Sequence, residues 1–122
     1  MKPESKFWQQ VKKNTPKIKW TRLESWASFG VPDLLGYHDS CGFFMVELKV
    51  AKGSKIHFSP HQILFHTTMT KRNFILVRGA SASSVKLYQS SAIHELRTSL
   101  RDAKTAAQDD WTAIQEALIG GD

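Results

Sequence analysis

Two acids and a lysine in the first half of the chain have the types and the spacing for chemistry on phosphate. Residues 43 to 50 read Phe-Phe-Met-Val-Glu-Leu-Lys-Val, apolar except for Glu47 and Lys49. As a strand, this run places Glu47 and Lys49 on one face, with Phe44, Val46, Leu48 and Val50 on the other. Val31 to Tyr37 is a second largely apolar run, and His38-Asp39-Ser40-Cys41-Gly42 between them has the composition of a hairpin turn. Folding the hairpin about Ser40 opposes Tyr37 to Phe43 and Asp33 to Glu47. Opposed residues have Cβ atoms about 4.5 to 5.5 Å apart, and like charges there destabilise a sheet unless positive charge lies between them. A divalent cation supplies that charge, and hard oxygen ligands select Mg²⁺ or Mn²⁺. Such an ion lowers the pKa of bound water and neutralises charge developing on phosphoryl oxygens, with Lys49 placed to hold the attacking water or stabilise an anionic transition state. The implied reaction class is phosphodiester hydrolysis. A plainer reading stands beside it, in which Glu47 and Lys49 form a same-face ion pair and Asp33, after Pro32, is a turn residue.

The surrounding pattern is that of an α/β domain. Glu4 to Asn14 reads as a short helix with Phe7, Trp8 and Val11 on one side and lysines on the other, stopped by Pro16. Ile18 to Glu24 is extended, and Trp26 to Gly30 is a loop before Val31-Pro32. Ala51 to Phe58 is polar and loop-like. Ser59 then caps a helix that has Pro60 at its first position and runs through Gln62, Leu64 and Phe65 to about Lys71. Asn73 to Arg78 and Val85 to Gln89 are strands, joined by the small-residue loop Gly79 to Ser84. In the last segment Ile93, Leu96, Leu100, Ala103, Ala107, Trp111, Ile114 and Leu118 follow at steps of three and four, one helical stripe ended by Gly120-Gly121. The stripe is expected to pack on its own sheet; a partner helix in a dimer is the sharper alternative. Asp109-Asp110 offers a fresh N-cap that would break the helix in two. The whole of 1–122 is expected to be a single domain, with a core at about 4–90 and a helical segment at about 91–119.

Charge and composition narrow the partners. The net charge of +6 is carried by one end: residues 1 to 22 hold seven Lys/Arg against Glu4 alone, whereas residues 91 to 122 hold three against six acids. A basic arm suits a polyphosphate partner, although a solvated helix face reads the same way. Lys12, Lys13, Lys17, Lys19, Arg22, Lys52, Lys55, Lys71 and Arg72 are the candidate DNA-phosphate contacts. A single cysteine, Cys41, closes no intramolecular disulfide. No apolar run is long enough to cross a bilayer, and Met1-Lys2-Pro3-Glu4-Ser5-Lys6 lacks the apolar core of a signal peptide, so an intracellular, cytoplasmic protein is expected.

Gly30-Val31-Pro32-Asp33, thirteen intervening residues, Glu47-Leu48-Lys49 and then a helix opening Ser59-Pro60-His61-Gln62 together resemble the PD-(D/E)xK nuclease superfamily. Within it the likeness is to small Holliday-junction-resolvase-like and VRR-NUC nucleases, over roughly residues 4 to 90. The resemblance implies a restriction-endonuclease-like core, a central mixed sheet of about five strands flanked by helices. It also implies a Mg²⁺- or Mn²⁺-dependent endodeoxyribonuclease, acting as a homodimer on branched DNA such as a Holliday junction. By the same resemblance Asp33 and Glu47 bind the metal, Leu48 offers only its backbone carbonyl, Lys49 is the family lysine, and Gln62 is the glutamine on the following helix. An acid from an earlier element has two claimants: Glu24, favoured because Arg22-Leu23-Glu24 leads into the Gly-x-Pro-Asp loop, and Glu4 on the first helix, where the helix dipole alone would favour an acid.

His57, His61 and His66 invite a zinc reading, but His57 and His61 straddle a helix start and no Glu or Cys nearby completes a set. His61 near a scissile phosphate, or ordinary packing, is the better expectation. Trp20 reads as core, and Trp26 as either core or a stacking platform. Two other kinds of function remain: a basic nucleic-acid-binding module whose acids are structural, and a subunit active only in a larger assembly. A nicking or less selective nuclease is the variant within the enzymatic class.

Overall fold

The computed structural model describes residues 3–23, 30–53, 55–79, 84–98, 100 and 103–120. In chain order these form α1 (Pro3–Asn14), β1 (Lys19–Arg22), β2 (Leu34–His38), β3 (Gly42–Val50), α2 (Pro60–Thr68), β4 (Asn73–Arg78) and β5 (Val85–Gln89). A 3₁₀ turn (Ser90–Ala92), α3 (Ile93–Thr98), β6 (Ala107–Gln108) and α4 (Trp111–Gly120) complete the chain. The six strands make one mixed sheet in the order β1-β2-β3-β4-β5-β6. Only β3 and β4 run parallel, joined through α2; the other neighbours are antiparallel. No helix among the described residues is long and apolar enough to cross a membrane.

The alternation along β3 sorts the core into two layers. Phe44, Val46 and Leu48 join Phe74, Leu76 and Leu87 on the face covered by Phe7 and Val11 of α1 and by Ile114 and Leu118 of α4. On the other face Ile75, Val77 and Tyr88 meet Phe58, Ile93 and Leu96. Glu47 and Lys49 belong to this second face, since Glu47 is in register with Ile75, and Lys49 with Val77. Period-two alternation between two apolar layers thus puts a carboxylate inside the sheet stack beneath α2. Trp20 is a core aromatic, edge-on to Phe44 at 5.6 Å and to Trp8 at 6.3 Å, with its indole N–H donating to Thr15 Oγ1 at 2.8 Å.

The hairpin register is the symmetric one, with Tyr37 against Phe43 and Leu34 against Val46. Elsewhere the sequence pattern misleads in two places. α2 stops at Thr68, not Lys71: the Met69 N–H closes on Phe65 O, Arg72 takes a positive φ of 56°, and Asn73 Nδ2 donates to Met69 O, so the chain turns early into β4. The C-terminal stripe is not one helix. Ala106 N–H donates to Leu87 O and Asp109 N–H to Val85 O, so the segment pairs with β5 as β6 and makes a sixth strand. The open edge of β5 needs partners for its backbone groups, and that need outweighs helical periodicity. Asp110 then caps α4 through Oδ1, which accepts from Thr112 N–H at 3.0 Å and Ala113 N–H at 3.3 Å. Both halves of the stripe pack on this chain's own sheet.

Candidate metal and active site

Asp33 sits one residue before β2, in the position that continues the hairpin register to Glu47. Its Oδ2 accepts from Leu48 N–H at 2.8 Å, which ties the Pro-Asp segment to β3. Leu48 meets Asp33 through its backbone, while its side chain lies in the first core layer. The two acids do land together. Burial, and then the Glu47 charge beside it, push the Asp33 carboxyl up to about 7, and a side-chain hydrogen bond joins the pair. Burial also raises Glu47, while the hydrogen bond from Asp33 and the Lys49 charge act to lower it. Burial thus works against ionising either carboxyl, and Asp33 holds its proton up to about 7.

Gln62 binds three neighbours at once. Its Oε1 accepts from Ser59 N–H at 2.9 Å while Ser59 Oγ accepts from Gln62 N–H, a capping box that starts α2. The same Oε1 accepts from Lys49 Nζ at 3.0 Å, and Gln62 Nε2 donates to Glu47 Oε2 at 3.3 Å. These partners fix which way the amide points. Lys49 and Glu47 are thus linked through Gln62, and the ammonium also lies 5.0 Å from the centre of the Phe58 ring.

His66 is the residue that the sequence reading passed over as a site member. It lies one helical turn beyond Gln62, fully buried, with Nδ1 at 2.8 Å from Ser90 Oγ and Nε2 at 3.6 Å from Glu47 Oε1. Burial first, then the Lys49 charge, hold its pKa down to about 4, so the ring is neutral near pH 7. The i, i+4 spacing of Gln62 and His66 is the signal that places both on one helix face. His57 lines the cleft and His61 sits on the exposed side of α2, so the three histidines do not converge.

A cleft of about 560 Å³ opens beside Lys49, with Glu4, Lys52, Lys55 and His57 in its wall. Glu4 is exposed on α1, and its charge reaches Glu47. Glu24 and Trp26 lie outside the described residues. Among the other candidate DNA contacts, Lys12, Lys13, Lys17, Lys19 and Arg22 are exposed on α1, β1 and the turn between them, with Lys17 Nζ 3.7 Å from Glu116. Lys71 and Arg72 line a separate groove with Phe43 and Met69, and Arg72 Nε donates to Phe43 O.

The donor set fits a hard divalent ion. Asp33 and Glu47 offer neighbouring carboxyl oxygens, the Glu47 charge helps Asp33 keep a proton up to about 7, and Glu47 Oε1 is buried without a hydrogen-bond partner. Among the described residues no three His, Cys, Asp or Glu side chains gather into a fuller cluster.

The proton has a measurable consequence in metal-free protein. Asp33 is held at about 7 in the fold against 3.8 as the ordinary value, so its proton stabilises the folded state fully below about pH 4 and the benefit is lost as pH rises through 7. His66 works oppositely, favouring the fold above its ordinary 6.5 and less as pH falls towards 4. Between about pH 6.5 and 7.5 Asp33 acts without that opposition. Urea denaturation in EDTA is expected to show stability falling over this interval, with Asp33→Asn removing the slope. An unchanged slope in the variant would place the proton elsewhere.

No protein-family model matches the chain, and no curated protein matches it by sequence. Among solved structures, Hjc, a Holliday junction resolvase from the archaeal hyperthermophile Archaeoglobus fulgidus, is similar with a TM-score of 0.54 and 12% sequence identity. The match covers 73% of this chain and 74% of that one. What the two share at that identity is the fold, a mixed α/β sheet flanked by helices.

Proposed function

We propose that the chain is a metal-dependent endodeoxyribonuclease of the PD-(D/E)xK kind, and that branched DNA is its substrate. The observation that carries this is the convergence of Asp33, Glu47, Lys49 and Gln62 at one end of the β2-β3 hairpin. The resolvase fold supports the choice of branched DNA, and Lys52 and Lys55 beside Lys49 supply cations for flanking phosphates.

Asp33, Glu47 and the Leu48 carbonyl would hold Mg²⁺ or Mn²⁺, which when bound supplies Lewis-acid stabilisation and an acidified water. Gln62 keeps the Lys49 ammonium directed along the carboxylate face, where it can orient a nucleophile or meet charge on a phosphoryl oxygen. The third acid is Glu24 or Glu4; Glu4 has the cleft position in its favour. A junction with two strands to cut calls for two such sites, which makes a homodimer part of the proposal.

Supercoiled plasmid and a synthetic four-way junction, incubated with Mg²⁺ or Mn²⁺, test this directly. Lys49→Ala is expected to lose about 10²- to 10³-fold in cleavage rate while still binding the junction; Glu4→Gln and Glu24→Gln in the same assay assign the third acid. Binding without cleavage by the wild type under either metal would replace the enzyme with a nucleic-acid-binding module. Cleavage of plasmid and junction alike would leave a nuclease without the structural preference.

A further inference from the structure

The mechanism above uses Gln62 but leaves His66, one turn along α2, without a part. Its environment is unusual. His66 Nε2 and Glu47 Oε1 are both buried, both lack a hydrogen-bond partner, and face one another at 3.6 Å, a little beyond hydrogen-bond length. The other ring nitrogen, Nδ1, is engaged by Ser90 Oγ at 2.8 Å, and Ser90 is itself fully buried at the end of β5.

We propose that His66, braced by Ser90, is a positioning residue for the Glu47 carboxylate. The buried, partnerless Oε1 calls for a donor, so the tautomer that fits has the proton on Nε2, aimed at Oε1; Nδ1 then accepts from the Ser90 hydroxyl. The carboxylate is thereby held from two directions by one helix face, with His66 at Oε1 and Gln62 at Oε2. Both are anchored in turn, His66 by Ser90 and Gln62 by the Ser59 cap. Such outer groups fix the orientation of a ligand and raise its affinity for metal. The metal part of this inference rests on the proposed function; the tautomer part does not.

Two measurements on the full chain test it. In metal-free protein, nitrogen-15 NMR of the His66 ring is expected to show the Nε2–H tautomer, and Glu47→Ala is expected to release that preference. An Nδ1–H ring in the wild type would overturn the proposal whatever the chain does with metal. Calorimetric titration with Mn²⁺ then reads the consequence. His66→Asn, whose amide can reach Ser90 but not Glu47, is expected to weaken Mn²⁺ binding about 10- to 100-fold. His66→Gln, whose amide nitrogen can take the place of Nε2, should stay within about threefold of wild type by the same reasoning. Thermal melts of both variants show whether each is folded when titrated. Equal affinity for Asn, Gln and wild type sinks the positioning role, as does equal weakening in both variants. If Glu47→Ala binds Mn²⁺ as well as wild type does, the metal reading of the site fails instead, and the NMR result decides the tautomer alone.

Discussion

Glu47→Gln is expected to reduce metal-dependent cleavage by about 10³-fold or more while making the metal-free protein more stable. The rate effect follows from removing a carboxylate oxygen donor beside Asp33 and Lys49, at a site where charge on phosphoryl oxygens must be met. The stability effect has the opposite sign because burial raises both acids above their ordinary range, and the Glu47 charge raises Asp33 further. Glutamine keeps the volume and removes the charge. Its amide can donate to Asp33, although it loses the hydrogen bond now accepted from Gln62. The net gain near pH 7.5 is expected to be about 1 kcal/mol, because a buried carboxylate is costly to desolvate even with hydrogen-bond partners. Cleavage rates and urea melts in EDTA measure the two halves separately. A variant that cuts within tenfold of wild type would remove Glu47 from the chemistry; one that melts earlier would show that the acid pair is not a source of strain. Function held at the expense of stability is the general expectation for a site built this way.

The second large effect is expected from Gly30→Ala, a substitution that touches no acid. Gly30 has φ of +76°, and a Cβ there would fall on the carbonyl group of His61 in the first turn of α2. The segment leading to Pro32-Asp33 therefore lies directly on the helix that carries Gln62 and His66. A left-handed backbone costs a non-glycine residue about 1 kcal/mol. The backbone collision adds to that, for a total of about 3 kcal/mol and a fall in melting temperature on the order of 10 °C. Gly42→Ala is the control. Gly42 has φ of +79° but open space around its Cβ position, so only the conformational cost of about 1 kcal/mol applies. If the two variants melt alike, the close approach of the Gly30 segment to α2 is not what the fold requires. Cleavage by Gly30→Ala below its melting point should also fall further than the Gly42→Ala rate, since Asp33 lies three residues from the displaced backbone.

Local sequence determined β3, β4, β5 and the start of α2 in this protein. β4 and β5 have the limits read from their apolar runs, and Ser59-Pro60 with Gln62 three residues past the cap opens the helix as the capping box requires. The hairpin's turn is short and its side-chain period is two, so its local pattern already sets Asp33 opposite Glu47. Tertiary structure decided the rest. Whether eight apolar residues at helical spacing make one helix, or two with a strand between them, depended on the unpaired edge of β5, which lies far away in sequence. That Glu47 faces His66, itself braced by Ser90, depended on how α2 and the end of β5 dock on the second face of the sheet. Periodicity is a property of neighbours along the chain, whereas the partner of a buried polar atom is set by packing between elements, and no local pattern records it.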